Sequence, residues 1–200
     1  MNASVSEIVR ELTLASASPR RAQLLRDAGY SFNVIEPPIP EPHTLHPVVT
    51  PAENAEALSY FKARAVAGIV RKGLILAADT IVACGGDVFG KPIDKADARR
   101  ILTRLMETPH QVITGITLLD AVDQRRAISH DVTQVTMRRL SDEELDEHLA
   151  TDAWDGKAGA YGIQDCGDPF VESIQGSFSN VVGLPMELLD RMLTAWPPKA

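Results

Sequence analysis

What this 200-residue chain lacks sets the first limits on it. It has two cysteines, Cys84 and Cys166, far apart and in no Cys-x-x-Cys pattern, so a disulfide framework is excluded and a reducing cytoplasmic compartment is the simplest setting. No apolar run approaches the ~18 residues that a bilayer span requires. The first eleven residues, with Glu7, Arg10 and Glu11, have no apolar core of the signal-peptide kind. Excess positive charge is missing too. The formal net charge is −7, and a field of that sign repels nucleic-acid backbone and anionic membrane alike, which argues against a nucleic-acid polymer or a membrane as partner. An anionic small molecule stays open, provided a local basic pocket overrides the global sign.

What is present reads as one globular domain over residues 1–200. Short apolar runs alternate with amphipathic segments, which predicts an α/β fold, and polar–apolar alternation in Gln134–Arg138 predicts a mixed rather than parallel sheet. Leu12–Ser16 and Ser31–Ile35 read as strands. Ser18-Pro19 supplies an N-cap and first helical residue, and Gly29 a C-terminal stop. Thr50-Pro51-Ala52-Glu53 is a capping box that opens a helix with Leu58, Phe61, Ala65 and Ile69 on one face. Leu74–Ala78 is a buried-strand run, and Ile81–Cys84 turns at Gly85-Gly86 into Val88-Phe89. Asp94 caps a helix that faces Ala98, Ile101, Leu102 and Leu105 inward. Gln111–Leu119 and Ala127–Met137 read as paired strands, and Ser141 to Glu144 as a second capping box. Phe170–Ile174 and Asn180–Val182 read as short strands before a closing helix from Pro185.

Four segments hold candidate chemistry. Ser16-Ala-Ser18-Pro-Arg20-Arg21 sets two arginines in the first turn of a helix, where the macrodipole already makes the end positive. A bound anion relieves that conflict, with free N–H groups, two hydroxyls and two guanidinium forks around a polyphosphate; arginines paired with carboxylates or extended into solvent relieve it as well. Asp79 directly follows a buried strand, at the sheet edge where α/β folds place ligands. There it suits a general base, a metal ligand or a simple turn residue. Gly90-Lys91-Pro92 offers a close backbone approach with a point charge, and also an ordinary connection with a solvated lysine. Lys62 sits at the margin of its helix's apolar stripe, where a surface lysine with a packed stem is the default. Lys157-Ala-Gly-Ala-Tyr161-Gly-Ile-Gln164 ends in an amide suited to a base edge, or is a glycine-rich loop around a structural aromatic. Other patterns fail. His43 and His46 have no third ligand nearby, His110, His130 and His148 are scattered, and no Gly-x-Ser-x-Gly, Walker A or Gly-x-Gly-x-x-Gly occurs.

Taken in order, the segments resemble the Maf family of nucleotide pyrophosphatases. The likeness runs through Leu14–Arg21, Glu41, Lys62-Ala63, Ala78-Asp79-Thr80, Gly90-Lys91-Pro92, His110–Gly115, Lys157–Gln164 and Gly176–Pro185. The resemblance implies a twisted mixed sheet with flanking helices around a central cleft, similar to inosine triphosphate pyrophosphatases. It implies hydrolysis of a nucleoside triphosphate to the monophosphate and pyrophosphate. It makes Asp79 the proton acceptor, with Glu41, Lys62 and Lys91 completing the catalytic set, and it links Arg20, Thr80 and Gln164 to base selectivity. The Ala-Asp-Thr and Ile-Gln forms look like the branch that acts on dTTP and UTP rather than 7-methyl-GTP. The chain departs from the family at Asp165-Cys166, where glycine usually follows Ile-Gln. That carboxylate either repels a triphosphate, points outward or helps hold metal.

On this reading water attacks the α-phosphorus in line. Ser16, Ser18, Arg20 and Arg21 hold the substrate, and Glu41 and Asp79 hold Mg²⁺ or Mn²⁺. The alternatives are a 7-methyl-GTP pyrophosphatase and a non-catalytic nucleotide-binding regulator of cell division. A homodimer is the default assembly for a small cytosolic enzyme.

Overall fold

In the computed structural model, which describes residues 11–39, 49–163 and 170–196, the capping signals of the sequence become helix ends. Ser18 caps α1 (Pro19–Asp27) by accepting from the Arg21 amide, and Gly29 lies just past its end. Thr50 and Glu53 close their box at the start of α2 (Pro51–Ala67), Asp94 caps α3 (Lys95–Leu105), and Ser141 and Glu144 form the second box on α4 (Asp142–Ala150). The closing helix, α6, spans Met186–Thr194. Asn180–Val182 is not a strand. Ser177 caps a short helix, α5 (Phe178–Val182), which ends at Gly183 with φ of 122°, a conformation few other residues adopt. The β-branched run that suggested a strand is overridden by a cap, a glycine stop and the burial of Asn180.

The strands β1 (Leu12–Ala15), β2 (Phe32–Ile35), β3 (Leu74–Cys84), β4 (Asp87–Phe89), β5 (His110–Asp120), β6 (Arg126–Met137) and β7 (Val171–Gln175) form one mixed sheet in the order β2-β1-β3-β5-β6-β7, with β4 also on β3. Only the β1–β2 and β1–β3 pairings are parallel. β5 occupies one edge of β3 from Leu74 to Ala83. On the other edge β1 pairs with Leu74–Leu76 and β4 with Val82–Cys84. Among the described residues, 77–81 therefore have no strand neighbour on that edge, and this gap between β1 and β4 opens the site. It also corrects the position of Asp79, which lies in the middle of an eleven-residue strand rather than after one. The antiparallel partner β5 carries β3 past the point where its parallel neighbour stops.

The period-2 alternation of a strand divides β3 between two faces. Leu74, Leu76 and Ala78 pack with Leu25 of α1 and Leu188, Leu189 and Leu193 of α6, while Val82 and Cys84 pack with α3 and α4. Ile75, Ala77 and Ile81 lie on the opposite face under α2. Here the helix turns a different side to the sheet than the sequence suggests. Its buried residues include Ala55, Ser59, Lys62, Ala63 and Val66, whereas Phe61 and Ile69 are exposed. Small residues win because α2 lies almost on the backbone of β5. Gly115 sits directly below it, and a Cβ there would collide with the Ala55 carbonyl. The Ser59 hydroxyl meets that of Thr117 at 2.7 Å. Close approach is worth more than a larger apolar stripe held further off.

His110, at the start of β5, is 1% exposed and its Nε2 lies 2.7 Å from the Tyr161 hydroxyl. Burial pushes its pKa down to about 4, with the Leu105 carbonyl opposing. The unfolded chain binds this proton near 6.5, so stability is fully present above that pH and falls as pH drops towards 4. Between pH 7.5 and 5.5 the urea midpoint should record a loss of about 1 kcal/mol from this group, and a His110→Phe variant should show a flatter slope; identical slopes would remove His110 as the cause. Gly115→Ala should cost about 1–3 kcal/mol by overpacking against α2 and should lower any activity that depends on Lys62. Stability equal to wild type in urea unfolding would contradict the close approach.

Candidate active site

Asp79 and Thr80 are neighbours on β3, so they face opposite sides of the sheet, and the gap in the strand edge brings both to one cavity of about 940 Å³. That is at the upper end of ordinary ligand-site volumes, ~300–1,000 Å³. On the α2 side, Lys62 Nζ donates to Asp79 Oδ1 at 2.5 Å, with both residues less than a tenth exposed. Lys62 is thus no surface lysine. The same close packing that buries Ala55 and Ser59 carries its ammonium down onto the strand. Among the described residues no other hydrogen bond reaches the Asp79 carboxylate, so its second oxygen is left to the cavity that the residue lines.

On the other side, Arg21 resolves the charge conflict in the first turn of α1 without any ligand. Its Nε donates to the Gly183 carbonyl at 2.7 Å, one terminal nitrogen to Thr80 Oγ1 at 3.1 Å and the other to Ser16 Oγ at 3.4 Å. The guanidinium fork ties β1, β3 and the end of α5 together at the cavity wall. Ser16 Oγ also accepts from the Ser18 amide, and the Ser18 hydroxyl is engaged as the helix cap. Both serines line the cavity while already serving the backbone.

Arg20 and Lys91 come to the same cavity from α1 and from the turn after β4, Arg20 reaching the Gly156 carbonyl at 3.5 Å. Thus Ser16, Ser18, Arg20, Arg21, Lys62, Asp79, Thr80 and Lys91 share one hollow. Glu41 and Gln164 lie outside the described residues, as do Asp165 and Cys166. The cavity adds Lys157, Glu36, Asp155 and Phe61, none of which the sequence reading took as site residues. Glu36 follows the end of β2 just as Ser16 follows β1, so the strand-end rule applied to both parallel strands would have found it. Lys157 opens the fourth segment. Asp155 and Phe61 had no signal of their own. Among the described lining residues five Arg and Lys stand against three Asp and Glu, an inversion of the chain's net charge of −7. Tyr161 takes the structural option, buried against His110. No group of three or more His, Cys, Asp or Glu arranged for a metal occurs among the described residues, and no helix there is long and apolar enough to cross a membrane.

The family described as Maf-like protein matches residues 11–196. A dTTP/UTP pyrophosphatase of Ruminiclostridium cellulolyticum is 44% identical over 185 residues, covering 92% of this chain and 95% of that protein. Proteins of the same name from Salinibacter ruber and Pelotomaculum thermopropionicum are 45% and 39% identical, each over 92% of this chain and over 90% and 96% of their own lengths. Among solved structures, a dITP/XTP pyrophosphatase from Mycobacterium abscessus overlaps 65% of this chain and 75% of its own, at 16% identity and a TM-score of 0.42.

Arg21→Lys tests whether the fork holds the wall. One ammonium cannot span the three acceptors, so unfolding in urea should show a loss of about 1–3 kcal/mol. A variant as stable as wild type would mean that the three bonds add nothing to folding.

Proposed function

Because the chain belongs to the Maf-like protein family, we propose that it is a nucleoside triphosphate pyrophosphatase that cleaves the α–β phosphoanhydride of dTTP and UTP, leaving the monophosphate and pyrophosphate. The observation that carries this reading is the buried Lys62–Asp79 pair opening onto a cationic cavity in an acidic chain. The relatives' shared name supplies the pyrimidine triphosphates.

A triphosphate brings about four negative charges near neutral pH, so positioning and charge neutralisation carry most of the catalysis. Arg20 and Lys91 neutralise phosphate oxygens from the cavity mouth, joined by Lys157. The α1 N-terminus, framed by Ser16 and Ser18, adds its amide dipoles. Asp79 accepts the proton of the attacking water on the oxygen that Lys62 leaves uncovered, while Lys62 fixes the carboxylate's orientation. The water attacks the α-phosphorus in line and pyrophosphate departs. Mg²⁺ or Mn²⁺ fits the donors here, since such ions take one or two carboxylates and leave their other positions to phosphates and water. Glu41 would hold it, joined by Asp79 where its uncovered oxygen binds the ion instead of taking the proton, and the bound ion supplies further charge neutralisation on the phosphates.

Pyrophosphate release across canonical and modified triphosphates, with and without Mg²⁺ or Mn²⁺, tests the assignment. dTTP and UTP should be the preferred substrates. Preference for 7-methyl-GTP would move the chain to the sister activity, and nucleotide binding without pyrophosphate release would make it a regulator instead. Asp79→Asn should lower turnover by ~10²-fold or more with the fold intact. Metal-dependent nucleotide binding retained in that variant identifies Asp79 as the base, its loss identifies a metal ligand, and wild-type turnover removes Asp79 from the mechanism.

A further inference from the structure

Behind Thr80 a line of hydrogen bonds runs on to β5 and α5. Thr114 lies opposite Thr80 on β5 and is fully buried. Its Oγ1 is 3.2 Å from the Asn180 carbonyl, which only accepts, so the single Thr114 hydroxyl proton goes there. The Thr80 and Thr114 hydroxyl oxygens are 2.9 Å apart. With Thr114's proton already committed, Thr80 must be the donor of that bond. Thr80 Oγ1 in turn accepts from Arg21. The chain runs one way, from Arg21 through Thr80 and Thr114 to the end of α5. A hydroxyl has one proton and two lone pairs, so Thr80, which lines the cavity, has one lone pair left and no proton to give.

An acceptor facing the cavity repels a phosphate oxygen and selects a group that carries a hydrogen. Among pyrimidines, the ring nitrogen between the two carbonyls of uracil and thymine bears a hydrogen, whereas the corresponding nitrogen of cytosine presents a lone pair. Resting on the reading above as a pyrophosphatase of pyrimidine triphosphates, we propose that Thr114 is a positioning residue that fixes the polarity of Thr80 and thereby favours uracil and thymine over cytosine. Thr114 touches no substrate; it acts by taking the one proton with which Thr80 could otherwise adapt to cytosine.

The test is kcat/KM for UTP and CTP, by pyrophosphate release, in wild type, Thr114→Val and Thr114→Ser. Valine keeps the shape but frees the Thr80 proton, and the Asn180 carbonyl keeps its bond from the Gly183 amide at 3.0 Å. The UTP-over-CTP ratio should fall by ~10-fold or more in Thr114→Val, through KM rather than kcat, and stay near wild type in Thr114→Ser, which restores the hydroxyl. Should the valine variant fail to fold by circular dichroism, Thr114→Ala carries the same expectation. Equal losses for both nucleotides with the ratio unchanged, or a wild type that does not discriminate between them, would overturn the proposal while leaving the pyrophosphatase reading in place. No pyrophosphate from any triphosphate in wild type would instead overturn that reading, and this inference with it.

Discussion

The site depends on how closely one helix approaches the sheet. Removing an ammonium and a carboxylate from water costs several kcal/mol per ion, and only good mutual geometry offsets it. Lys62 and Asp79 reach that geometry because α2 rests on Gly115, with Ala55 and Ser59 in its contact face. A helix held a side chain's thickness further away would leave both charges buried without a partner. The small residues of α2 and the glycine of β5 thus belong to the site as much as the ions do, although none of them carries chemistry.

The second constraint is the interruption of one strand edge. A sheet paired along its whole length would seal Asp79 and Thr80 on separate faces. β1 stops opposite Leu76 and β4 ends opposite Val82, so among the described residues 77–81 are open on one side, and the two faces communicate there. The loop and helix after β1 bring Ser16 and Arg20, and the turn after β4 brings Gly90 and Lys91, to the same opening. This arrangement explains how a chain of net charge −7 can attract a polyanion: the cations sit around one hollow and the acids elsewhere on its surface dilute them little at short range.

Much of the fold was legible in the sequence because it rests on local chemistry. The Ser18, Thr50, Asp94 and Ser141 caps are read from side chains that bond amides two or three residues away, and no distant partner is needed to see them. The mixed sheet followed from alternation in β6. What failed was tertiary. The rotation of α2 is set by Gly115, some sixty residues downstream of Ala55, and apolar periodicity within the helix pointed to Phe61 instead. The continuation of β3 through Asp79 depends on β5, which a strand-end rule for parallel sheets does not anticipate. The segment Asn180–Val182 looked like a strand by composition but folds as a helix because Asn180 turns inward to Val112 and Thr133. One cavity gathers the candidate residues as far as the described residues extend, yet the sequence could not separate Arg21, whose nitrogens brace the wall, from Arg20 beside it.

Placing Asp79 and Thr80 one residue apart on opposite faces of β3 has an evolutionary corollary. The acid is supported by α2, and the hydroxyl by α5 and β5, through separate hydrogen bonds. Drift in one supporting layer can therefore retune which molecules are accepted without disturbing bond cleavage, and the reverse. A lineage built on this strand can diversify its substrates by small repacking on a single side.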